Sequence, residues 1–172
     1  MTICTKDRQQ RFGEIVNGEM RRNDLAAIVQ SCWNDLPNHY PNVGLDAFVV
    51  MPNHVHGIII IMDDPVGATS RRPHTGAGFP RPYLGNVVAY FKYESAKRIN
   101  KLSTTPGAPL WHRGYYDHII RDDRSLDQIR DYIIENPQRW SSDKQNRDST
   151  GDDEFDRWMN STIDKPTRKG QE

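Results

Sequence analysis

The chain has 172 residues, enough for one domain with a proper core and a tail. Lysine plus arginine and aspartate plus glutamate each number 23, so net charge gives no pointer to nucleic acid; many of the acids lie near the C-terminus, and the body without them is mildly basic. Two cysteines exclude a disulfide framework, no apolar run could span a membrane, and Met1-Thr2-Ile3-Cys4 leads straight into charged sequence with no signal peptide, all of which points to a soluble cytoplasmic protein.

Thr2–Thr5 reads as a short strand, and a strand at the very start points to missing upstream residues or a frayed beginning. Cys4 on it, and Cys32 further on, read as small buried residues. Asn17-Gly18 between Phe12–Val16 and Glu19–Arg21 is a hairpin signal. Asn23 or Asp24 caps a helix to about Leu36, with Leu25, Ile28, Val29, Cys32 and Trp33 on one stripe, and Pro37 to Pro41 stops it. Leu45–Met51 is a strand. After a tight Pro52-Asn53 turn, the β-branched run from His54 to Met62 forms its antiparallel partner.

Asp63–Pro82 is rich in Gly, Pro, Ser, Thr and Arg and reads as a loop, with His74 solvated. Tyr83–Leu102 is a long helix whose inward stripe is Leu84, Val87, Val88, Phe91, Ser95, Ile99 and Leu102. Lys92, Lys97, Arg98 and Lys101 crowd its other faces. With Arg71, Arg72 and Arg81 of the loop they form either a solvated surface or a phosphate-binding one. Leu110–Ile120 reads as a strand. The last helix begins near Asp123 or Ser125, where Ser125-Leu126-Asp127-Gln128 fits a capping box; it carries Leu126, Ile129, Tyr132 and Ile133 and ends near Asn136 because Pro137 follows. From Ser141 the chain is polar, with one amphipathic turn around Phe155, Trp158 and Met159, so the expected division is a domain over 1–140 and a partly disordered tail over 141–172.

This order gives an α+β fold, an antiparallel sheet with helices on one face and the other face open. Strand alternation sends His54 and His56 to that open face. Two buried imidazoles side by side need a partner, either hydrogen bonds at a strand end or a shared metal ion. Gln128, Tyr132 and Asn136 lie along one side of the last helix. Tyr132 either packs in the core or faces the histidines, with Asn136 adding to a ligand set. In the second case its phenol, a poor nucleophile with a pKa of about 10, could attack a phosphodiester polarised by a divalent ion. That attack would leave a covalent phosphotyrosine.

Met51-Pro52-Asn53-His54-Val55-His56-Gly57 resembles the His-hydrophobe-His motif of single-tyrosine transposases of the insertion sequence 200-like class. Leu110-Trp111-His112-Arg113-Gly114-Tyr115-Tyr116-Asp117-His118 and Tyr132-Ile133-Ile134-Glu135-Asn136-Pro137 resemble their REP-associated branch more closely. The resemblance runs from about Thr2 to Trp140. It implies a ferredoxin-like fold, a divalent metal (Mg2+ or Mn2+) on His54 and His56, and cleavage of single-stranded or hairpin DNA through a 5′-phosphotyrosine at Tyr132. Asn136 stands where better-known members carry a glutamine that assists the metal. Arg113 joins Arg71, Arg72, Arg81, Lys92, Lys97, Arg98 and Lys101 as expected DNA contacts. Tyr115 and Tyr116 are rival nucleophiles, His112 and His118 are candidate extra ligands with strand-end structural roles favoured, and Trp111 reads as core rather than as a base platform. Members usually carry residues before the first strand, and this chain does not. A homodimer exchanging the tyrosine helix and a monomer are both compatible with the sequence, as are a hairpin-binding protein without chemistry and a hydrolase that uses water.

Overall fold

The computed structural model describes residues 1–62 and 83–149. The loop with Arg71, Arg72, His74 and Arg81, and the turn around Phe155, Trp158 and Met159, lie outside the described residues. The organising strand is β5 (His54–Ile61). It pairs antiparallel on one side with β1 (Thr2–Cys4), in the register Thr2↔His56, Ile3↔Val55 and Cys4↔His54. On the other side it pairs with β4 (Val43–Val50), from Val50↔Val55 to Val43↔Ile61. A tight turn closed by Met51 N–H donating to the His54 carbonyl (2.9 Å) joins β4 to β5. A separate hairpin, β2 (Gly13–Val16) and β3 (Glu19–Arg22), turns at Asn17-Gly18, both with positive φ as such a turn requires.

The expected strand at Leu110–Ile120 is reduced to two bridges, Thr5↔Trp111 and Thr2↔Tyr116. The reason is a length mismatch: the first edge runs from Thr2 to Thr5, just past β1, while the facing segment runs from Trp111 to Tyr116, so the residues between bulge out of register. The bulge is filled from below by the Lys92 ammonium, which donates to the carbonyls of His112 (2.7 Å) and Arg113 (2.9 Å). With this segment beside β1, the order across the sheet is residues 111–116, β1, β5, β4, a ferredoxin-like arrangement in an α+β fold.

One face carries α1 (Asp24–Asn34) and α3 (Leu84–Leu102). Asn23 caps α1 by accepting the Ala26 N–H (3.1 Å). After Asn34 the chain makes a short separate turn, α2 (Leu36–His39), instead of extending α1. Val29, Cys32 and Trp33 of α1 and Val87, Val88 and Phe91 of α3 enclose Ile3, Val50 and Val55 of the sheet. Leu102, expected in that stripe, is exposed at the helix end. Trp111 belongs to this core, its indole N–H donating to Ser95 Oγ (2.9 Å). Trp33 lies flat on Phe48 (4.2 Å between ring centroids) and directly over Gly57.

The other face is not open. It is crossed by α4 (Asp123–Glu135), whose Ile129, Tyr132 and Ile133 pack on Ile58. Asp122 caps α4 by accepting the Ser125 N–H (2.8 Å), so the helix starts at Asp123, the earlier of the two expected positions, and Ser125 is not its cap. Nor is the stretch after Trp140 all tail: through Ser149 it folds back in turns, with Asp143, Gln145 and Asn146 buried. No helix among the described residues is long and apolar enough to cross a membrane.

The close approach at β5 gives a first prediction. A Cβ on Gly57 would stand 2.5 Å from the Trp33 ring and 2.9 Å from Phe48. Gly57→Ala therefore forces a stacked aromatic pair to move and lowers stability by about 1–3 kcal/mol. Urea unfolding followed by tryptophan fluorescence measures it, and an unchanged midpoint would mean the pair repacks freely.

Candidate metal centre

Alternation along β5 sends Val55 into the core under α1 and α3 and turns His54 and His56 to the α4 face. His54 is fully buried and His56 nearly so. Their Nε2 atoms face each other at 2.9 Å. Each ring is held from behind through Nδ1: His54 by Asn53 Oδ1 (2.8 Å), His56 by Thr2 Oγ1 (2.8 Å).

These outer bonds fix the proton positions. Asn53 Nδ2 donates to the carbonyls of Gln145 (2.7 Å) and Arg8 (3.3 Å), which leaves Oδ1 as the acceptor facing His54. His54 Nδ1 therefore carries the hydrogen, and its Nε2 presents a bare lone pair. The Thr2 hydroxyl can donate or accept. When it donates, His56 Nε2–H bonds to His54; when it accepts, two bare nitrogens converge on one point. A tautomer change of His56, its ring proton passing from Nε2 to Nδ1 as the Thr2 hydroxyl turns from donor to acceptor, thus converts a hydrogen-bonded pair into a pair of metal ligands with their outer bonds already made.

Three further groups close on this point. Asp143 Oδ2 stands 3.5 Å from His54 Nε2, and donor atoms of His54, His56 and Asp143 all lie within 4.8 Å of one another. Asn136, at the end of α4, is fully buried beside His54, and among the described residues neither its Oδ1 nor its Nδ2 makes a hydrogen bond of good geometry. Such an amide leaves a desolvation penalty of about 1–3 kcal/mol uncompensated unless something binds it. The Tyr132 ring meets His56 edge-on, 5.3 Å between centroids, and Trp140 covers His54 from the far side at 6.1 Å.

The donor set fits a divalent cation. Two nitrogens about 2.1 Å from one ion, at a right angle, stand about 3 Å apart, close to the separation seen. Imidazole nitrogen, carboxylate and amide oxygen together suit a first-row divalent ion. Burial pushes His54 down to about 3; the nearby Asn136 amide opposes that shift and the Arg8 cation adds to it. Burial, with His54, the N-terminal amine and Lys144 beside it, holds His56 well below the usual histidine range. Both rings are neutral at neutral pH, the form that ligates.

The structure thus brings His54, His56, Tyr132 and Asn136 together and leaves the other expected site residues that it describes elsewhere. Gln128 is half-buried one turn before Tyr132. Tyr116 pairs with Thr2, whose other neighbour is His56, so it shares the histidine face two strand spacings out, about 10 Å away, and its side chain is exposed. Tyr115 packs against the core of α1 and α3. His112 is exposed and accepts the Gly114 N–H, while His118 is half-buried. Lys92 is engaged in the bulge, Lys97 pairs with Glu94, and Arg98 with Asp35 and Glu94. Lys101 and Arg113 are exposed. Asp143 was missed because it sits in a polar stretch that reads as tail. The weak pointer was Asn53, whose side chain ties that stretch to the histidines.

No protein-family model matches the chain. A Haemophilus influenzae protein described as uncharacterized is 38% identical over 152 residues, which are 84% of this chain and 82% of that protein. The chain belongs to the family of that protein. A second Haemophilus influenzae protein, named "Putative REP-associated tyrosine transposase", is 25% identical over 136 residues, 79% of this chain and 67% of that protein. The relation to it is distant.

Two predictions follow from the centre. Titration calorimetry with Mn2+ should give one site per chain. His54→Ala or His56→Ala should abolish it, and Thr2→Val, which removes only the outer hydrogen bond, should weaken it about 10–100-fold. Unaltered binding in the histidine variants would place the ion elsewhere. The second concerns acid. His54 titrates at about 3 when folded and at about 6.5 when unfolded, so between these values the unfolded chain binds more protons. The stability this group supports is complete above about pH 6.5 and is lost as pH falls toward 3. In chelator, the urea midpoint should drop more steeply between about pH 7 and pH 4.5 for the wild type than for His54→Gln; parallel curves would contradict the assignment.

Proposed function

We propose that this protein is a metal-dependent endonuclease and strand transferase acting on single-stranded, hairpin-forming DNA, with Tyr132 as nucleophile. The observation that carries the reading is the Tyr132 ring against His56, whose Nε2 faces that of His54 across 2.9 Å. The distant relation to the protein named as a tyrosine transposase supports it.

His54, His56 and Asp143, with the Asn136 amide oxygen, would hold the ion, Mg2+ or Mn2+. Bound there, it would supply Lewis-acid polarisation of a phosphodiester and offset charge developing on phosphorus. The chain's own groups do the rest. Asn53 and Thr2 keep the imidazoles aimed. Ile58, Ile129 and Ile133 hold the phenol of Tyr132 in an apolar wall beside them. Tyr132 Oη attacks phosphorus while the bond from phosphorus to the departing 3′ oxygen breaks, and the proton the phenol gives up is matched by the one that oxygen takes. The product is a 5′-phosphotyrosine and a free 3′ hydroxyl, and the retained ester lets the strand be rejoined elsewhere. Arg113 and Lys101, exposed, and Lys97 and Arg98, which have acidic partners, would give sequence-independent phosphate contacts. Arg71, Arg72 and Arg81 would be further phosphate contacts. Lys92, bonded to the bulge, would act by holding Arg113 in place.

The complete burial of His54 and Asn136 favours a second reading, a hairpin-binding protein that no longer cuts. One experiment separates the two. Labelled hairpin DNA with a single-stranded flank is incubated with protein and Mn2+ and run on a denaturing gel. The first reading predicts a protein-linked strand that Tyr132→Phe removes, by at least about 10³-fold, while the fold stays intact. An undiminished adduct in that variant would move the role to Tyr116 or Tyr115. Nicked DNA with no linked protein would mean water is the nucleophile, and binding without cleavage would establish the second reading.

A further inference from the structure

Asp46 is an acid within the apolar strand β4, and it occupies that strand's irregularity. Pairing with β5 runs in step from Val43↔Ile61 to Leu45↔Ile59 and resumes at Phe48↔Gly57, so β4 carries one residue more than β5 at Asp46-Ala47. Such a bulge re-aims a side chain. The carboxylate is steadied by the Ala47 N–H (2.6 Å) and grips the guanidinium of Arg130 in α4, Oδ1 accepting from Nε (3.0 Å) and Oδ2 from Nη2 (2.6 Å). Arg130 also donates to Asp127 one turn back (3.0 Å), which holds the fork along the helix. Both partners are partly buried, the Asp46 side chain 16% exposed and that of Arg130 38%.

The rest of the α4 seat named above is Ile129 and Ile133 on Ile58, Ala47 and Val49. Apolar contact is not directional. It holds a helix to a sheet but tolerates rolling and sliding. A two-bonded guanidinium–carboxylate fork does not. Arg130 also lies just ahead of Tyr132 on the same helix, so a turn of α4 that broke the fork would carry the phenol away from His56.

We propose that Asp46 is a positioning residue that fixes the rotation and height of α4 and so holds Tyr132 against His56. The proposal rests on the reading of Tyr132 as nucleophile for its functional consequence, but not for its structural one. Asp46 needs no contact with metal or DNA; it acts through Arg130.

The test uses the full chain with Asp46→Ala, the milder Asp46→Asn, Arg130→Ala and the double variant. Hydrogen exchange in the metal-free protein, far from unfolding, should show α4 amides exchanging at least tenfold faster in each single variant, with β5 amides still protected. The double variant should be no worse than the more affected single one, as expected when the main effect of each group runs through their shared fork. In the adduct assay at saturating hairpin DNA, the same variants should react about tenfold more slowly with unchanged DNA affinity and Mn2+ affinity. Unchanged α4 exchange in both Asp46 variants overturns the proposal. So does faster exchange with an undiminished adduct rate. If the wild type makes no adduct, the transferase reading fails, and the latch is then decided on exchange and the double variant alone.

Discussion

Two imidazole nitrogens held 2.9 Å apart in a space closed to solvent set the terms for the rest of this molecule. In water such a pair would separate or protonate. Here neither escape exists: Asn53 and Thr2 hold the rings from behind, and burial opposes a positive charge on either. What remains is to share one proton or to share one cation. The orphaned amide of Asn136 and the carboxylate of Asp143 at the same point favour the cation.

The scaffold is arranged around that pair. β5 is central in the sheet, so its dihedrals are fixed from both sides, and its alternation separates core from chemistry: Val55 to the helices, the histidines to the other face. Gly57 lets Trp33 lie on the strand immediately after the pair, which locks the helix layer to the same few residues. On the chemical face α4 brings Tyr132 and Asn136, one helical turn apart, and the turns after it bring Asp143. The polar ties that hold those turns, Asn53 to Gln145 and Cys4 Sγ–H to Gln145 Oε1, are long-range and side-chain-mediated.

That distinction explains what could be read from the sequence. The hairpin at Asn17-Gly18, the helices from Asn23 and Tyr83, and the His54 strand are local: turn chemistry, a cap and hydrophobic period specify each one. The shared face of His54 and His56 follows from strand geometry alone. The bulge at Arg113 does not, because it depends on a count against β1 far away in sequence and on the reach of Lys92. Asp143 was hidden for a similar reason. A polar turn has no periodicity, and its burial comes from partners that no local pattern announces. α4 and these turns together cover the histidine face and turn an expected open cleft into a closed centre. Asp46 is the intermediate case, an acid out of pattern in an apolar strand, visible as an anomaly but explained only by Arg130.

The central claim is that the converging nitrogens are ligands. Crystals grown with Mn2+, measured on either side of the manganese absorption edge, test it most directly. The account predicts an anomalous peak between the Nε2 atoms of His54 and His56, about 2–2.3 Å from each, with an oxygen of Asp143 or Asn136 in contact. A well-ordered map with no peak there, the rings still sharing a proton and manganese held only by surface carboxylates, would contradict it.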